Sequence, residues 1–180
     1  LLDDPEINVV IEVIDDAEAS FDIVRESLLR GKAVISANKK MIAQHFEELV
    51  DLQLRCRTPL LYEAACCASL PIIRNLEEYY DNELLEGIEG IINGSTNFIL
   101  TKIFEENLSY SEALRLAQEK GFAESDPALD VSGQDAANKL CILLAHAFGV
   151  AAKPKDLLFH GIEAVSSFDA EVAAANRSQI

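Results

Sequence analysis

Short apolar runs alternate with longer amphipathic stretches in the first third of the chain. Residues 8–14 read NVVIEVI, and further apolar runs cover residues 32–36 and 59–63. Between them, residues 17–30 and 41–54 place apolar side chains at helical spacing. Short apolar runs separated by helices are typical of parallel strands that are buried on both faces. The order β-α-β-α-β therefore predicts part of a parallel, doubly wound sheet, with ligands at the carboxyl ends of its strands.

The pattern changes at about residue 71, where helices become more frequent. Helical spacing extends over residues 72–80, 96–106, 111–120 and 132–149, and residues 168–180 resemble a helix that is cut short. Residues 84–92 are apolar with two glycines inside them, and we interpret this segment as a strand. The sequence thus predicts an α+β arrangement after the parallel sheet, with the boundary near residues 64–75.

Composition and charge exclude several classes of partner. The 180 residues have a net charge of −16 and no low-complexity tract, which argues against nucleic acid or an anionic membrane surface as a partner. No apolar run approaches the length of a membrane span, and no secretory signal is recognisable. We therefore expect a soluble, cytoplasmic protein. Its four cysteines have no zinc-binding spacing, so we expect them to be reduced thiols that pack in the core.

The most distinctive stretch is residues 121–139, which read GFAESDPALDVSGQDAANK. It holds four carboxylates and ends in one lysine, and these five residues are Glu124, Asp126, Asp130, Asp135 and Lys139. If the last helix begins at Ser132, Asp135 and Lys139 lie one turn apart on the same face. Such a group of acids and a base suits binding of an amino acid and transfer of a proton.

A purely structural interpretation explains the same residues. Ser132 and Asp135 have the spacing of a capping box, and Asp135 with Lys139 has that of a helix-surface ion pair. Asp126 followed by proline is common in turns. The residues by themselves favour this structural interpretation.

Two other short segments combine polar residues with a predicted helix start. Asn38 is a good N-cap, which places Lys39 in a first helical turn, where the helix dipole disfavours a cation. The segment Asn93-Gly94-Ser95-Thr96 also precedes a helix, whose free N–H groups could hold a carboxylate. Alternatively, Lys39 is a solvated surface lysine, and Ser95 or Thr96 only caps the second helix.

Three segments of the chain resemble conserved blocks of the homoserine dehydrogenase family, in the family's order and with similar spacing. The run GFAESDPALDVSGQDAANKL resembles the family pattern Gly-aromatic-Ala-Glu-x-Asp-Pro, then Asp, then Gly-x-Asp-x-x-x-Lys. The runs VISANKKMIA (34–43) and GIINGSTNFIL (90–100) resemble two further blocks. The resemblance implies an NAD(P)-dependent oxidoreductase that interconverts L-homoserine and L-aspartate 4-semialdehyde, in the biosynthesis of threonine and methionine.

The resemblance also implies a domain organisation. Residues 1–68 would be the second half of a Rossmann-like dinucleotide-binding domain. Residues 69–180 would form an α+β domain for substrate binding, catalysis and dimerisation. The implied ligands are NAD(P) and a small-molecule substrate, and the implied assembly is a homodimer.

The resemblance assigns roles to individual residues. Lys139 and Lys39 would be catalytic. The substrate would be bound by Glu124, Asp130, Asp135, Gly94 and Ser95, and the cofactor by Ser36, Asn38, Lys39 and Glu124. Phe122 stands where relatives often carry tyrosine, so a hydroxyl that could contact substrate is absent.

The segment EAACCASLP (63–71) resembles the family block Glu-Ala-x-x-x-x-Gly-x-Pro, which can bind a monovalent cation, Na⁺ or K⁺. The matching positions are Glu63, Cys66, Ala68 and Leu70. Cys67 and Ser69 replace residues that are often glycine, so we expect backbone strain or altered packing in this turn.

Two alternatives to hydride transfer stay open from the residues themselves. Lys139 could form a Schiff base with an aldehyde substrate, or the chain could be a non-catalytic, acidic interaction module. No GxGxxG motif is present. We therefore expect the chain to be a fragment of a longer protein, with weak cofactor binding and little turnover by itself.

Overall fold

The computed structural model describes residues 1–82 and 84–178, which form two compact units that interleave along the sequence. The first unit comprises Leu1–Ile88 and Ala137–Leu157, and the second comprises Glu89–Ala136 and the described residues from Leu158 onward. In chain order the elements are β1 (Val9–Glu12), α1 (Ala17–Leu29), β2 (Ala33–Ser36), α2 (Lys39–Cys56), β3 (Leu60–Leu61), α3 (Ala64–Cys67), α4 (Ile72–Glu78), α5 (Gly94–Glu106), α6 (Tyr110–Glu119), α7 (Ala128–Val131), α8 (Gln134–Phe148), a 3₁₀ turn (Pro154–Asp156) and α9 (Ser167–Ala175). The functional division predicted at residue 68 stays a prediction.

The strands described in the first unit form a parallel sheet in the order β1-β2-β3. Val9 pairs with Ala33, and Val34 pairs with Leu60. The helices α1 and α2 connect the strands and pack against each other. This arrangement confirms the predicted β-α-β-α-β half of a doubly wound sheet, and it brings the carboxyl ends of the strands to one edge.

Only one face of this sheet is buried. In this strand order, right-handed crossovers place α1 and α2 on the same face, where the buried apolar side chains include Val24, Leu28, Val34, Met41, Ile42 and Leu60. On the opposite face, Val9, Ile11 and Ile35 are 50%, 68% and 40% exposed. The prediction that residues 8–14 are buried on both faces is therefore wrong. Alternate side chains of a strand point to opposite faces, and the second face is left largely uncovered by the described residues of this unit.

The second unit is built around α5 and α6, which pack against each other. Its buried core consists of Ile99, Ile103, Ala113, Ala117, Ala123 and Val131. The helix α6 begins with a capping box, in which Ser109 and Glu112 each bond the main-chain N–H of the other. This cap and the apolar face together fix the helix that precedes the acidic loop.

Two predicted boundaries differ from the structure. The strand predicted over residues 84–92 is absent, since those residues form a turn and irregular backbone. A strand needs a neighbour to pair its N–H and C=O groups, and no described residue of the second unit is in a strand. The helix predicted from Ser132 begins at Gln134, because Gly133 has φ +83°, which no right-handed helix accommodates. The predicted final helix is α9, and residues 179 and 180 lie outside the described residues.

Two of the four cysteines match the expectation of packing thiols. Cys66 and Cys141 are buried, whereas Cys56 and Cys67 are partly exposed. Burial raises the pKa of the Cys141 thiol to about 11, so this thiol is protonated and unreactive at neutral pH.

Among the described residues, no helix combines the length and the apolar character needed to cross a membrane.

A hydrogen-bonded group of Tyr62, Glu77 and His146 joins three segments of the first unit. Nδ1 of His146 lies 2.8 Å from a carboxylate oxygen of Glu77, and Nε2 lies 2.9 Å from the hydroxyl of Tyr62. Because an ionised carboxylate only accepts, Nδ1 carries the proton of the neutral imidazole and Nε2 accepts from Tyr62. Burial lowers the pKa of His146, and Glu77 opposes this effect in part. The folded protein therefore favours the neutral histidine.

This shift predicts a specific dependence of stability on pH. Because the pKa of His146 is lower in the folded state, the unfolded chain binds more protons below about pH 6.5. The contribution of the neutral imidazole is complete above that pH and is lost as the pH falls below it. Between pH 7.5 and 5.5, the unfolding free energy of the wild type should therefore fall more than that of His146→Gln, as measured by urea denaturation. Tyr62→Phe keeps the imidazole and should show a fall similar to that of the wild type. Equal falls in the wild type and His146→Gln would contradict the assignment.

Candidate active site

A buried carboxylate, Glu12, organises the carboxyl edge of the sheet. Only 2% of Glu12 is exposed. Its oxygens accept hydrogen bonds from the Ser20 hydroxyl at 2.8 Å, the Ser36 hydroxyl at 2.6 Å and the N–H of Ile14 at 2.6 Å. A buried charge is tolerated where donors replace its water shell. These three donors therefore fix the strand ends relative to α1.

Asn38 connects this edge to α2. Its side-chain oxygen accepts from the N–H of Met41 at 2.9 Å, which confirms the predicted N-cap. Its amide nitrogen donates to Ser20 Oγ and to the main-chain oxygen of Ile14, both at 2.9 Å. Lys39 is then the first residue of α2, as the spacing predicted. The network thus fixes the start of α2, and with it the position of the Lys39 backbone.

The side chains of Ser36 and Asn38, which the resemblance assigns to cofactor binding, both have partners inside the protein. Ser36 Oγ also accepts from the main-chain N–H of Asn38 at 3.1 Å. Their contact with a cofactor stays a prediction, and the main chain of this loop is the part best suited to make it.

Cys66 lies within electrostatic reach of both predicted catalytic lysines in the first unit. Burial, followed by Cys67 and Glu63, raises the pKa of the Cys66 thiol to about 12, and the charges of Lys139 and Lys39 lower it in part. Lys39 in the first turn of α2 and Lys139 in α8 therefore each lie within electrostatic range of Cys66, although they come from distant parts of the sequence. An ammonium group close to a reacting oxygen can stabilise negative charge that develops on it.

The carboxylate of Glu63 caps α4 and is not free. It accepts hydrogen bonds from the N–H groups of Ile73 at 2.8 Å and Arg74 at 3.1 Å. Among the predicted cation ligands, the main-chain oxygens of Glu63 and Leu70 each accept one main-chain hydrogen bond. A carbonyl oxygen has a second lone pair, so these bonds are compatible with a monovalent cation, which stays a prediction. Within residues 1–82 and 84–178, no cluster of three or more His, Cys, Asp or Glu side chains could hold a metal ion.

The unusual backbone expected in this turn falls at Ala68. Cys67 and Ser69 stand at positions where relatives often have glycine, and the strain was expected there. The unusual conformation is instead at Ala68 between them, which has φ +51° and ψ −110°. A residue with a side chain at this positive φ and negative ψ costs roughly 1–3 kcal/mol, because the conformation is crowded for any residue with a Cβ. The strain therefore lies at one exposed residue, directly after α3.

Ala68→Gly should stabilise the protein. Removing the Cβ relieves the strain, and the greater freedom of glycine in the unfolded chain offsets about 0.5–1 kcal/mol of that gain. We expect a net rise of about 1 kcal/mol in the unfolding free energy, measured by urea denaturation. Ala64→Gly is the matched control, because Ala64 is also exposed but lies in the right-handed turn α3. It should destabilise by roughly 0.5–1 kcal/mol. Equal destabilisation by both substitutions would show that Ala68 is unstrained.

In the second unit, Asn93 brings two carboxylates together. Its Nδ2 donates to Asp130 Oδ1 at 2.7 Å and to Asp135 Oδ2 at 3.0 Å. The Ser95 hydroxyl lies 3.1 Å from Asp130 Oδ2 and 2.7 Å from the main-chain oxygen of Phe122. Asp135 is buried, with only 8% of its surface exposed. Two acids side by side favour a cation close to both of them.

The start of α5 is arranged by Asn93 as well. Asn93 Oδ1 accepts from the N–H of Thr96 at 2.9 Å, so Asn93 is the cap. The alternative that Ser95 or Thr96 caps this helix is therefore wrong. Gly94 is the first residue of α5, and no atom lies within 4 Å of where its Cβ would be. Gly94 and Ser95 thus stand beside the acid pair with open space at Gly94.

The acidic loop keeps its other carboxylates apart from this pair. Glu124 is exposed, and its main-chain oxygen accepts from Gln118 Nε2 at 3.1 Å. Asp126 accepts from the N–H of Ala128 at 3.2 Å, which is the predicted turn chemistry. Phe122 stacks on Phe98 with ring centroids 4.4 Å apart. Of the predicted substrate residues, the structure therefore groups Asp130, Asp135 and Ser95, with Gly94 adjacent, and leaves the Glu124 side chain in solvent.

Close packing fixes where α8 begins. A Cβ on Gly133 would lie 2.9 Å from the main-chain oxygen of His160, and a Cβ on Gly161 would lie 2.7 Å from that of Val131. The N–H of Ile162 donates to the same Val131 oxygen at 2.8 Å. These contacts set Asp135 in the first turn of α8, and Lys139 follows one turn later on the same helix.

The residue pattern alone missed two buried polar residues of the site, Asn93 and Asn138. Glu12 is marked in the sequence, since it is the one charged residue in an apolar run and lies at the carboxyl end of the predicted strand. Asn93 lies in one of the segments that resemble the family, but the sequence assigned it no role in the site. An amide that bridges two distant aspartates leaves no local pattern. Asn138 precedes Lys139 and looked like an ordinary polar helix position.

Comparisons with known proteins give a consistent result. The sequence model of the homoserine dehydrogenase family matches residues 71–180. The homoserine dehydrogenase of Helicobacter pylori is 38% identical over 173 residues, which cover 96% of this chain and 41% of that protein. The enzyme of Bacillus subtilis is 38% identical over 169 residues, covering 94% of this chain and 39% of that protein. The chain thus spans about two-fifths of the length of these relatives.

Solved structures agree with the sequence relatives. A homoserine dehydrogenase from Thiobacillus denitrificans matches with a TM-score of 0.92 at 35% identity, covering 98% of this chain and 41% of that one. A hyperthermophilic archaeal homoserine dehydrogenase mutant in complex with NADPH matches with a TM-score of 0.76 at 32% identity, covering 89% of this chain and 49% of that one.

Proposed function

The chain belongs to the homoserine dehydrogenase family, and we propose that the protein containing it interconverts L-homoserine and L-aspartate 4-semialdehyde with NAD(P). The reaction would serve threonine and methionine biosynthesis in the cytoplasm, in a homodimer. The observation that most supports this proposal is the pair of Asp130 and Asp135, with Lys139 one turn after Asp135 on α8. An amino-acid substrate carries an ammonium group for the acids and an alcohol or aldehyde for the lysine.

The acid pair would bind the substrate ammonium. Asp130 and Asp135 share one neutral donor, so their negative charge is not neutralised by Asn93. An ammonium near both carboxylates would relieve their mutual repulsion. Glu124 would add a third carboxylate from the exposed loop, and the N–H groups at Gly94 and Ser95 would face the substrate carboxylate.

The lysines would manage the oxygen that reacts. Bound NAD(P) supplies the chemistry of hydride transfer to or from the substrate carbon. In the oxidation of L-homoserine, Lys139 would accept the proton of the hydroxyl group, and in the reverse direction it would donate that proton to the aldehyde oxygen. Lys39 would be a second cation that stabilises negative charge on the same oxygen.

The carboxyl edge of the parallel sheet is where dinucleotides bind in doubly wound folds, and one relative of known structure is in complex with NADPH. Because Glu12 and its partners occupy the side chains of Ser36 and Asn38, the loop main chain and Lys39 are the groups that fit a cofactor best. Glu124 is the further predicted contact. A monovalent cation, Na⁺ or K⁺, at the main-chain oxygens of Glu63, Cys66, Ala68 and Leu70 would complete the site.

Family membership favours hydride transfer over the alternatives of a Schiff-base enzyme and a non-catalytic module. Lys139→Ala should therefore abolish most of the oxidation of L-homoserine. General acid–base catalysis contributes on the order of 10²–10⁴-fold, so we expect kcat to fall by about that factor. The measurement is nicotinamide reduction by a protein of the relatives' full length that carries this chain.

Lys39→Ala and Lys40→Ala form a matched pair in the first turn of α2, because Lys40 is exposed and has no assigned role. Lys39→Ala should lose activity and Lys40→Ala should keep it. A wild type without activity on L-homoserine, or a folded Lys139→Ala variant as fast as the wild type, would refute the proposed function.

A further inference from the structure

We propose that Asn93 is a positioning residue for the reaction, which holds the carboxylates of Asp130 and Asp135 at a fixed spacing through its two amide protons. This inference rests on the proposed function and deepens it. It assigns Asn93 no contact with substrate. It makes the geometry of the ammonium site depend on one neutral side chain.

The hydrogen-bonding capacity of Asn93 is used entirely within the protein. Its amide nitrogen has two protons, and it has two acceptors, Asp130 Oδ1 at 2.7 Å and Asp135 Oδ2 at 3.0 Å. Its oxygen accepts from Thr96, from the N–H at 2.9 Å and from Oγ1 at 3.0 Å. The residue is also buried. The side chain of Asn93 therefore has no hydrogen-bonding group left for a ligand, and any effect of this side chain on substrate must pass through the two aspartates.

The bridge solves a physical problem that the acid pair creates. Two carboxylate oxygens bound to one nitrogen lie close together, and like charges at this separation repel each other. A lysine between them would remove the repulsion, but it would also neutralise the charge that attracts an ammonium group. An amide donates two hydrogen bonds and adds no charge. The bridge therefore holds the pair together without adding a charge.

The side chain of Asn93 also connects the acid pair to the start of α5, the predicted site of the substrate carboxylate. Asn93 caps α5, so Gly94 and Ser95 directly follow the residue that holds both acids. The Ser95 hydroxyl lies 3.1 Å from the second oxygen of Asp130. One residue thus sets the distance between the acids and the helix start. An amino acid, which carries both charges, needs that distance to be constant.

Two substitutions separate the bridge from the cap. Serine and aspartate are both good N-caps, but Asn93→Ser is too short to reach both aspartates, and Asn93→Asp cannot donate when ionised. In a protein of the relatives' full length, Asn93→Ser should keep the wild-type melting temperature within a few degrees, whereas Asn93→Asp should lower it, because it adds a third carboxylate beside the pair. Both should raise KM for L-homoserine by on the order of 10- to 100-fold, because two hydrogen bonds to charged groups are lost. KM for the nicotinamide cofactor should change less than about threefold.

Asn97→Ser is the matched control, since Asn97 is an exposed asparagine one turn further along α5. It should leave both KM values unchanged. Folded Asn93 variants with an unchanged KM for L-homoserine would overturn the positioning role. In Asn93→Ser, a lower melting temperature together with a higher KM for both L-homoserine and the cofactor would also overturn it, since that result would show that Asn93 only caps the helix. A wild type inactive on L-homoserine would instead refute the proposed function.

Discussion

Neutral hydrogen-bond donors hold the buried carboxylates of this chain in place. In the first unit, the hydroxyls of Ser20 and Ser36 solvate Glu12, and in the second, the amide of Asn93 bridges Asp130 and Asp135. A buried carboxylate needs donors to replace water, and a neutral donor satisfies it without cancelling its charge. The first network fixes the strand ends and the direction of α2. The second keeps two acids together without adding a charge, and the proposed binding of a substrate ammonium depends on this spacing.

Packing at the start of α8 determines where Asp135 and Lys139 lie on this helix. Its start is set by Gly133, whose positive φ ends the preceding turn and whose missing Cβ admits the main chain at His160. Asp135 is then buried in the first turn, and Lys139 follows one turn later. In the first unit, Lys39 is placed by a separate device, the cap of α2 by Asn38. Both lysines are therefore fixed by backbone features, which a local change in sequence would disturb.

Local signals in the sequence predicted much of this structure. The apolar runs predicted β1, β2 and β3 in parallel order, and Asn38 predicted the start of α2. The errors concern features that depend on distant neighbours. Val9 and Ile11 look buried in any local pattern, but their exposure depends on what covers the second face of the sheet. Residues 84–92 have the composition of a strand, but none of the described strands pairs with them. The bridge made by Asn93 joins residues about forty positions apart, and no periodicity reports such a contact.

In the proposed reaction, the acid pair recognises the ammonium group of the amino-acid substrate. This recognition can be measured by comparing L-homoserine with 4-hydroxybutanoate, which has the same alcohol and carboxylate but no amino group, in a protein of the relatives' full length. We expect kcat/KM for 4-hydroxybutanoate to be lower by at least about 100-fold, because the two carboxylates would have no ammonium group to bind. Asp130→Asn should narrow the difference in kcat/KM between the two substrates. Comparable kcat/KM values for both substrates in the wild type would show that the acid pair does not recognise the ammonium group.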